Sequence, residues 1–328
     1  MTKEIIQELK NSGLTGRSGS GFPVWQKWQA VKDAPSNQKY IVCNGSEGEP
    51  MVFKDGHILE KYPEELINGV KTALKTIDNS QAYIYLNKDY YARFSQTLKN
   101  LSGNMPVILF EEPGGYIAGE ETALLNVIEG KRAEPRLKPP YPTQAGLWGK
   151  PTLVQNVETF YWISKIAKNE YQGHRFYSIE GDAANKGVFE LPETDTVRQI
   201  LQKTDNYPDF DFFAQIGGGA AGTIMLAKEL DQPVKGTGSI VIYDRLRTDV
   251  LDLMKAWAEF FVNNNCDKCT PCREGLYRIL ETIAGGKEKI LAEKQSLDEL
   301  FTALEKTAFC PLGRMAAGPF KSAMAKLL

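Results

Sequence analysis

Four of the five cysteines in this 328-residue chain fall in its last third. Three follow the spacing Cys266-x2-Cys269-x2-Cys272, and Cys310 comes later. No other feature constrains the fold as much. Three thiolates in one tight stretch can wrap three corners of an iron–sulfur cubane, while the fourth arrives from elsewhere in the chain. Structural zinc sites more often pair two two-cysteine knuckles or add histidines. There are no such pairs here, and neither of the two histidines, His57 and His174, lies near the cysteines in sequence. Pro271 stiffens the loop and Pro311 directly follows the fourth ligand. The spacing therefore points to a [4Fe-4S] cluster on Cys266, Cys269, Cys272 and Cys310, with zinc or inert buried thiols as the alternatives. Cys43, inside the apolar run YIVC, reads as a core residue.

The cysteine count is odd and the start, MTKEIIQELK, is charged and amphipathic rather than signal-like, so a disulfide framework is not expected. These features place the expected location in the cytoplasm. A net charge of −2 argues against a nucleic-acid binder. No apolar run reaches the roughly 18 residues that a membrane-spanning helix needs. The scarcity of histidine removes most hydrolytic and His-based zinc mechanisms.

Three regions separate by pattern. Over 1–165, apolar runs at 40–43, 82–86 and 106–110 alternate with amphipathic stretches such as Glu64 to Ile77, which predicts an α/β layer structure. Over 166–246, the β-like runs KGVFEL, DFDFFAQI and SIVIYD surround one helical pattern, TVRQILQK, and predict a small α+β module. Over 247–328 the chain reads as helical. Val250, Leu253, Met254, Trp257, Phe260 and Phe261 share one helix face, and Leu276, Ile279, Leu280 and Ile283 form a second stripe. Ser296 and Glu299 read as a capping box ahead of Leu297, Leu300, Phe301 and Leu304. With a last helix through Phe320 to Leu328, four helices make a small bundle.

Two glycine-rich loops in the first region are suited to close approach of a ligand. One contains Gly16, Arg17, Gly19 and Gly21, with Lys27 shortly after. The other contains Gly114, Gly115, Gly119, Glu120 and Glu121. Glycines let backbone N–H groups converge, and Arg17 and Lys27 supply charge for a phosphate. Between them lies the acidic turn Asn44-Gly-Ser-Glu47-Gly-Glu49. A further run, Gly217-x-Gly219-x-x-Gly222 with Asp244 downstream, matches the dinucleotide fingerprint on paper. Its surroundings are too short for a doubly wound sheet, so it reads as a plain glycine-lined turn.

In order along almost the whole chain, the segments GLTGRSGSGFP, CNGSEGEPMVFKD, YIAGEETALLNVIEGKRAEPRLKPPYP, GLWGKPTLVQNVET, CDKCTPCREG and FCPLG resemble the NADH-binding, FMN-carrying subunit of respiratory complex I (its F subunit, flavoprotein 1). That family includes diaphorase subunits of NAD-reducing hydrogenases and formate dehydrogenases. The resemblance implies an α/β FMN-binding domain, a small ubiquitin-like β-grasp domain of the soluble-ligand-binding (SLBB) type, and the helical cluster domain. It implies FMN among Gly16, Arg17, Gly19, Lys27, Asn44, Glu47, Gly119, Glu120, Glu121, Gln155 and Asn156. NADH is implied near Phe22, with Glu49, Lys138 and Tyr141 along its groove. The chain departs from the family pattern at Ser18, where glycine is usual, and at Ser46, where an acidic residue is usual. It also has Ala30 in place of an aromatic and Gln155 in place of asparagine.

The expected chemistry is hydride transfer from nicotinamide to flavin, then single electrons to the cluster. The cofactors carry it, and the protein supplies orientation and electrostatics, with no catalytic side chain required. The implied partners are a thioredoxin-like [2Fe-2S] subunit and a larger iron–sulfur subunit. A rival expectation is an iron–sulfur electron-transfer subunit that has lost nucleotide binding. A third is a zinc-stabilised scaffold.

Overall fold

A computed structural model describes residues 2–328 of the chain, which divides into two units. The first comprises residues 1–48 and 53–176, and the second comprises 49–52 and 177–328.

The first unit runs α1 (Thr2–Asn11), α2 (Val24–Asp33), β1 (Lys39–Gly45), α3 (Lys54–Lys61), α4 (Pro63–Thr76), β2 (Ser80–Leu86), α5 (Lys88–Ser102), β3 (Val107–Glu111), α6 (Ala123–Ile128), α7 (Pro142–Ala145), β4 (Thr152–Asn156) and α8 (Val157–Ala167). Its sheet has the order β3-β2-β1-β4 with every pairing parallel. Parallel strands covered on both faces read as near-continuous apolar runs, which explains YIVC and AYIYL. Strand β4 (TLVQN) is buried throughout. Val42, Tyr83, Tyr85 and Val154 pack on Leu124, Leu125 and Leu147 to form a core cluster. Helix α4 begins with Pro63 in its first turn, where the missing N–H costs nothing. At Gly69 of α4 a Cβ would overlap the Phe160 carbonyl of α8, so glycine lets the two helices meet backbone to backbone.

The strand order makes β1 a turning point, because β2 lies on one side of it and β4 on the other. In open α/β sheets ligands bind in the crevice outside the carboxyl ends of the strands at such a switch. Here β1 and β4 end in register, with Asn44 opposite Asn156. The turn after Asn44 and the start of α8 therefore face one crevice.

From Tyr177 the second unit carries most of β5 (His174–Gly181), then β6 (Gly187–Pro192), α9 (Val197–Lys203), β7 (Phe212–Ile216), β8 (Thr223–Leu226) and β9 (Ser239–Asp244), in a mixed sheet of order β6-β5-β9-β7-β8. Strand β5 pairs parallel with β9, and β7 runs antiparallel to β8 and β9. Val197, Ile200 and Leu201 of α9 pack on Tyr177, Ala214, Ile240 and Ile242. Helices α10 (Val250–Asn264), α11 (Thr270–Arg273), α12 (Gly275–Ala284), α13 (Gly286–Ala292), α14 (Lys294–Thr307), α15 (Pro311–Met315) and α16 (Ala317–Lys326) follow. The Ile224 amide of β8 donates to Ser322 Oγ at 2.9 Å and Lys326 Nζ donates to the Ile224 carbonyl at 2.7 Å, which ties α16 to the sheet edge.

The capping box expected at Ser296 does not form. Helix α14 has already begun at Lys294, and the Leu297 amide bonds to the Glu293 carbonyl, so Ser296 sits inside the first turns. Among the described residues no helix is long and apolar enough to cross a membrane.

Candidate functional site

In the first unit the crevice is built on the ends of β1 and β4. Asn44 Nδ2 donates to the Gly119 carbonyl at 2.8 Å, and the Ser46 amide donates to Asn44 Oδ1 at 3.1 Å. These bonds tie the β1 turn to the second glycine loop. Asn156 caps α8, its Oδ1 accepting from the Thr159 amide at 3.3 Å and from Thr159 Oγ1 at 2.5 Å. Gln155 Oε1 accepts from Trp28 Nε1 at 3.4 Å. The Arg17 amide donates to Thr159 Oγ1 at 3.0 Å, which draws the first glycine loop to the same edge. That loop is closed by the Gly16 amide donating to the Phe22 carbonyl at 2.9 Å, and Gly19 and Gly21 have φ of +99° and +60°. A side chain would be strained at those two positions.

Four charged residues converge above this floor. Lys27 Nζ lies 2.8 Å from Glu121 Oε2, and Lys138 Nζ lies 2.8 Å from Glu121 Oε1 and 3.1 Å from Glu120 Oε1. Burial alone would raise the Glu121 carboxyl, but Lys27 and Lys138 overcome it and hold it at about 2. Burial likewise opposes the charge on Lys138, and Glu121 and Glu120 more than restore it. Glu120 Oε2 accepts from the Thr122 and Ala123 amides at 2.8 and 3.0 Å, so it is fixed at the head of α6. Phe22 and Tyr141 are exposed, and Lys27 Nζ stands 6.0 Å from the Phe22 ring centroid. Ala30 lines an open cavity of about 620 Å³ with Asp33, Thr143, Gln144 and Lys150, so no aromatic fills that place.

Beneath the crevice lies a buried charged group that sequence reasoning missed. Lys54 Nζ is 3.0 Å from Asp55 Oδ1 and 3.1 Å from Glu158 Oε2, and all three side chains are buried. Glu47 accepts from the Asp55 and Gly56 amides at the start of α3, each at 3.0 Å, and from the Tyr90 hydroxyl at 2.8 Å. Burial and then the Asp55 carboxylate push Glu47 up to about 7, against Lys54 and the two amides. Burial pushes Glu158 up too, but Lys54, Arg175 and Arg17 overcome it and hold it below the usual range. Asp55 is raised, because burial and Glu158 outweigh Lys54. Lys54 thus pairs with both carboxylates, 3.0 Å from Asp55 and 3.1 Å from Glu158. Lys54 and Asp55 stood in a quoted motif, yet nothing local in the sequence announces a partner at 158.

The structure gathers Arg17, Lys27, Asn44, Glu47, Gly119, Glu120, Glu121, Lys138, Gln155 and Asn156 in one network of the first unit. Glu49 is described with its own unit, the second, where its Oε1 accepts from the Ala220 and Ala221 amides, both at 2.9 Å. The fingerprint-like glycine run is thus the loop that wraps a carboxylate of the chain itself. A Cβ on Gly218 would collide with the Glu49 side chain, which explains glycine there.

The four cysteines of the second unit are all buried free thiols. Cys269 and Cys310 stand at the starts of α11 and α15, each followed closely by proline in the first turn. Burial pushes the Cys272 thiol well up, and its neighbours Cys269, Cys310 and Cys266 add to the rise, so all four lie within electrostatic range. A Cβ on Gly313 would stand 2.6 Å from Cys272 Sγ, which brings the Cys310 turn against the three-cysteine loop. Among the described residues no three His, Cys, Asp or Glu side chains converge on a single ion. A cubane does not ask for convergence on a point, since each thiolate takes a separate corner. The all-thiol donor set, free of histidine and carboxylate, fits it.

A parallel sheet with a glycine-lined crevice at its switch point, together with a cradle of four buried thiols, two of them at helix starts, defines a cofactor-binding iron–sulfur protein. The chain matches the Nuo51 FMN-binding domain over residues 9–165 and the NADH-ubiquinone oxidoreductase-F iron-sulfur binding region over residues 252–327. It is 33% identical to the F 2 subunit of NADH-quinone oxidoreductase from Rhizobium meliloti, covering 98% of this chain and 86% of that protein. It is also 33% identical to the NADH-quinone oxidoreductase F subunit of Aquifex aeolicus, over 99% of this chain and 84% of the relative. The NADP-reducing hydrogenase subunit HndC of Solidesulfovibrio fructosivorans is 31% identical, covering 98% of this chain and 74% of that one. A crystal structure of an NAD+-reducing [NiFe]-hydrogenase in the H2-reduced state superposes with a TM-score of 0.91 at 28% identity, over 99% of this chain. The chain spans 61% of that hydrogenase chain. This chain belongs to the family of NADH-quinone oxidoreductase F subunits.

Proposed function

We propose that this chain is an NADH-oxidising electron-transfer subunit that binds FMN in the first unit and a [4Fe-4S] cluster on Cys266, Cys269, Cys272 and Cys310 in the second. The observation that carries the flavin assignment is the crevice at the β1/β4 switch, where glycine backbone borders open space. No atom lies within 4 Å of where a Cβ would stand on Gly21, Gly114 or Gly115. A flat ring system fits against such backbone, and Lys27 and Lys138, held together by Glu121, supply cations for a phosphate.

When bound, the flavin accepts a hydride from NADH and passes on single electrons, which the cluster takes. The chain's own residues do the rest. Asn44 and Asn156 fix the two strand ends, so the crevice keeps its shape. Glu121 holds Lys27 and Lys138 at a set spacing, which keeps two flexible cations pre-organised for an anionic ligand. Phe22 and Tyr141 offer exposed aromatic faces for the nucleotide. Glu49 is proposed as a further nucleotide contact.

The same reading divides the chain into a flavin domain (1–165), a β-grasp domain (166–246) and a helical cluster domain (247–328). It is supported by the mixed five-stranded sheet wrapped on α9 and by the helices that carry the thiols. Relatives are named as subunits of larger enzymes. The acceptors we infer for the departing electron are a thioredoxin-like [2Fe-2S] subunit and a larger iron–sulfur subunit. Five free thiols favour a reducing compartment, so we place the chain in the cytoplasm, peripheral to any membrane complex.

The test is titration of the full chain, freed of flavin, with FMN. Quenching of flavin fluorescence that saturates at one FMN per chain, and weakens in Lys27→Met, is expected. Absence of quenching overturns the assignment. A second reading, an electron conduit without nucleotide binding, rests on Ala30, which leaves its cavity unfilled. It predicts that FMN, once bound, is not bleached by NADH.

A further inference from the structure

Glu112 follows β3 at the carboxyl edge of the first unit's sheet and takes no part in the network described above. It is 4% exposed, and its Oε2 is fully buried without a hydrogen-bond partner among the described residues. Its amide donates to the Leu86 carbonyl at 2.8 Å, which fixes it beside the end of β2. The Ser46 hydroxyl donates to its carboxylate. Ser46 in turn is half-buried and packs against Gly119 of the second glycine loop, where a Cβ would come within 2.7 Å of Ser46 Oγ. A buried acid thus reaches the crevice through a single hydroxyl.

We propose that Glu112 and Ser46 form a proton-dependent hydrogen-bond switch at the flavin site. With Glu112 ionised, the Ser46 O–H points back to the carboxylate and the crevice meets only lone pairs of Oγ. With a proton on Glu112, the acid donates to Ser46 Oγ and the Ser46 O–H is released to donate into the crevice. The inference rests on the flavin reading of this crevice. Reduction by NADH moves a hydride from the nicotinamide to the flavin and leaves NAD+, so the flavin gains negative charge. That charge favours the state in which Ser46 donates, and Glu112 takes one proton from solvent.

The surroundings support this exchange. Burial pushes the Glu112 carboxyl up, with the Ser46 bond opposing it, and no cation among the described residues contributes to hold it ionised. The titratable group that faces it from β2 is Tyr85, whose hydroxyl donates to the Ala118 carbonyl at 3.2 Å and is itself pushed up by burial and then by Glu112. Glu111, its chain neighbour, is exposed.

The experiment is a spectroelectrochemical titration of the flavin in the FMN-loaded full chain across the neutral pH range, in wild type, Glu112→Gln and Ser46→Ala. The wild type is expected to show a pH window in which the midpoint potential falls with the slope of two protons per two electrons. Both variants are expected to lose one of those protons and show a single slope throughout. Ser46→Ala removes only one oxygen, so it carries the test should Glu112→Gln fail to fold. Identical slopes in wild type and Ser46→Ala overturn the switch while leaving the flavin reading intact, provided NADH bleaches the flavin in each. A chain that retains no FMN overturns both.

Discussion

Replacing Lys54 by methionine is the most informative single perturbation of the first unit. The ammonium is 2% exposed and lies about midway between two buried carboxylates, 3.0 Å from Asp55 and 3.1 Å from Glu158. Removing one member of a buried ion pair costs about 3–5 kcal/mol, because the partner is left charged in low dielectric. Glu158 keeps the Trp162 Nε1–H at 3.1 Å and the Phe176 amide at 3.0 Å, and it still feels Arg175 and Arg17. Asp55 keeps the Asn156 side-chain amide, 3.3 Å from each carboxylate oxygen, and the Glu158 backbone amide at 3.2 Å. The loss should therefore fall at the low end, about 3 kcal/mol, or about 6–12 °C in Tm at roughly 2–4 °C per kcal/mol. Urea unfolding followed by tryptophan fluorescence reads it well, since Trp25, Trp28, Trp148 and Trp162 all lie in the first unit. The deficit should shrink as pH falls and Glu158 takes a proton. Adding Glu158→Gln should recover part of it through a positive coupling. A Lys54→Met protein within about 0.5 kcal/mol of wild type, the range of an ordinary surface substitution, would refute the reasoning.

Three further outcomes are expected. Cys310→Ala should abolish iron–sulfur absorption and paramagnetic signal while NADH still bleaches the flavin, because the fourth thiol serves only the cluster. Gly313→Ala should lower iron content per chain and cost about 1–3 kcal/mol by overpacking, as its Cβ would press on Cys272 Sγ and Ala308 Cβ, each 2.6 Å away. Glu121 is held at about 2 against an ordinary value of 4.5, so its ion pairs stabilise the fold above that ordinary value. This contribution is lost as pH falls through about 2. Glu121→Gln should remove about 1–3 kcal/mol of it, discounted for partial exposure, and flatten the acid limb of denaturation midpoints measured against pH.

Much of the fold was legible where physics acts locally. The runs at 40–43, 82–86 and 106–110 became β1, β2 and β3, and TVRQILQK became α9. The stripe from Val250 to Phe261 became α10, with Met254, Trp257 and Phe261 buried. The cysteine spacing brought its four thiols into range of one another. What stayed hidden is set by long-range pairing. Strand β4 runs straight into α8 with no turn between them to mark its end, yet it closes the crevice by pairing with β1. Nothing in the sequence pattern links Lys54, Asp55 and Glu158, which the fold buries together. The glycine run at 217–222 satisfies the fingerprint letter by letter, and only the structure reveals Glu49 as the carboxylate it wraps. Glu112 had no signal at all, since its meaning depends on Ser46, far from it in sequence.

The most direct test of the central claim is an anaerobic titration of the FMN-loaded, cluster-reconstituted chain with NADH and then NADPH, following flavin absorbance and low-temperature paramagnetic resonance together. The account predicts that the flavin bleaches and a reduced [4Fe-4S] signal appears with the same donor. A cluster reducible only by dithionite, in a chain that retains no flavin, would contradict it.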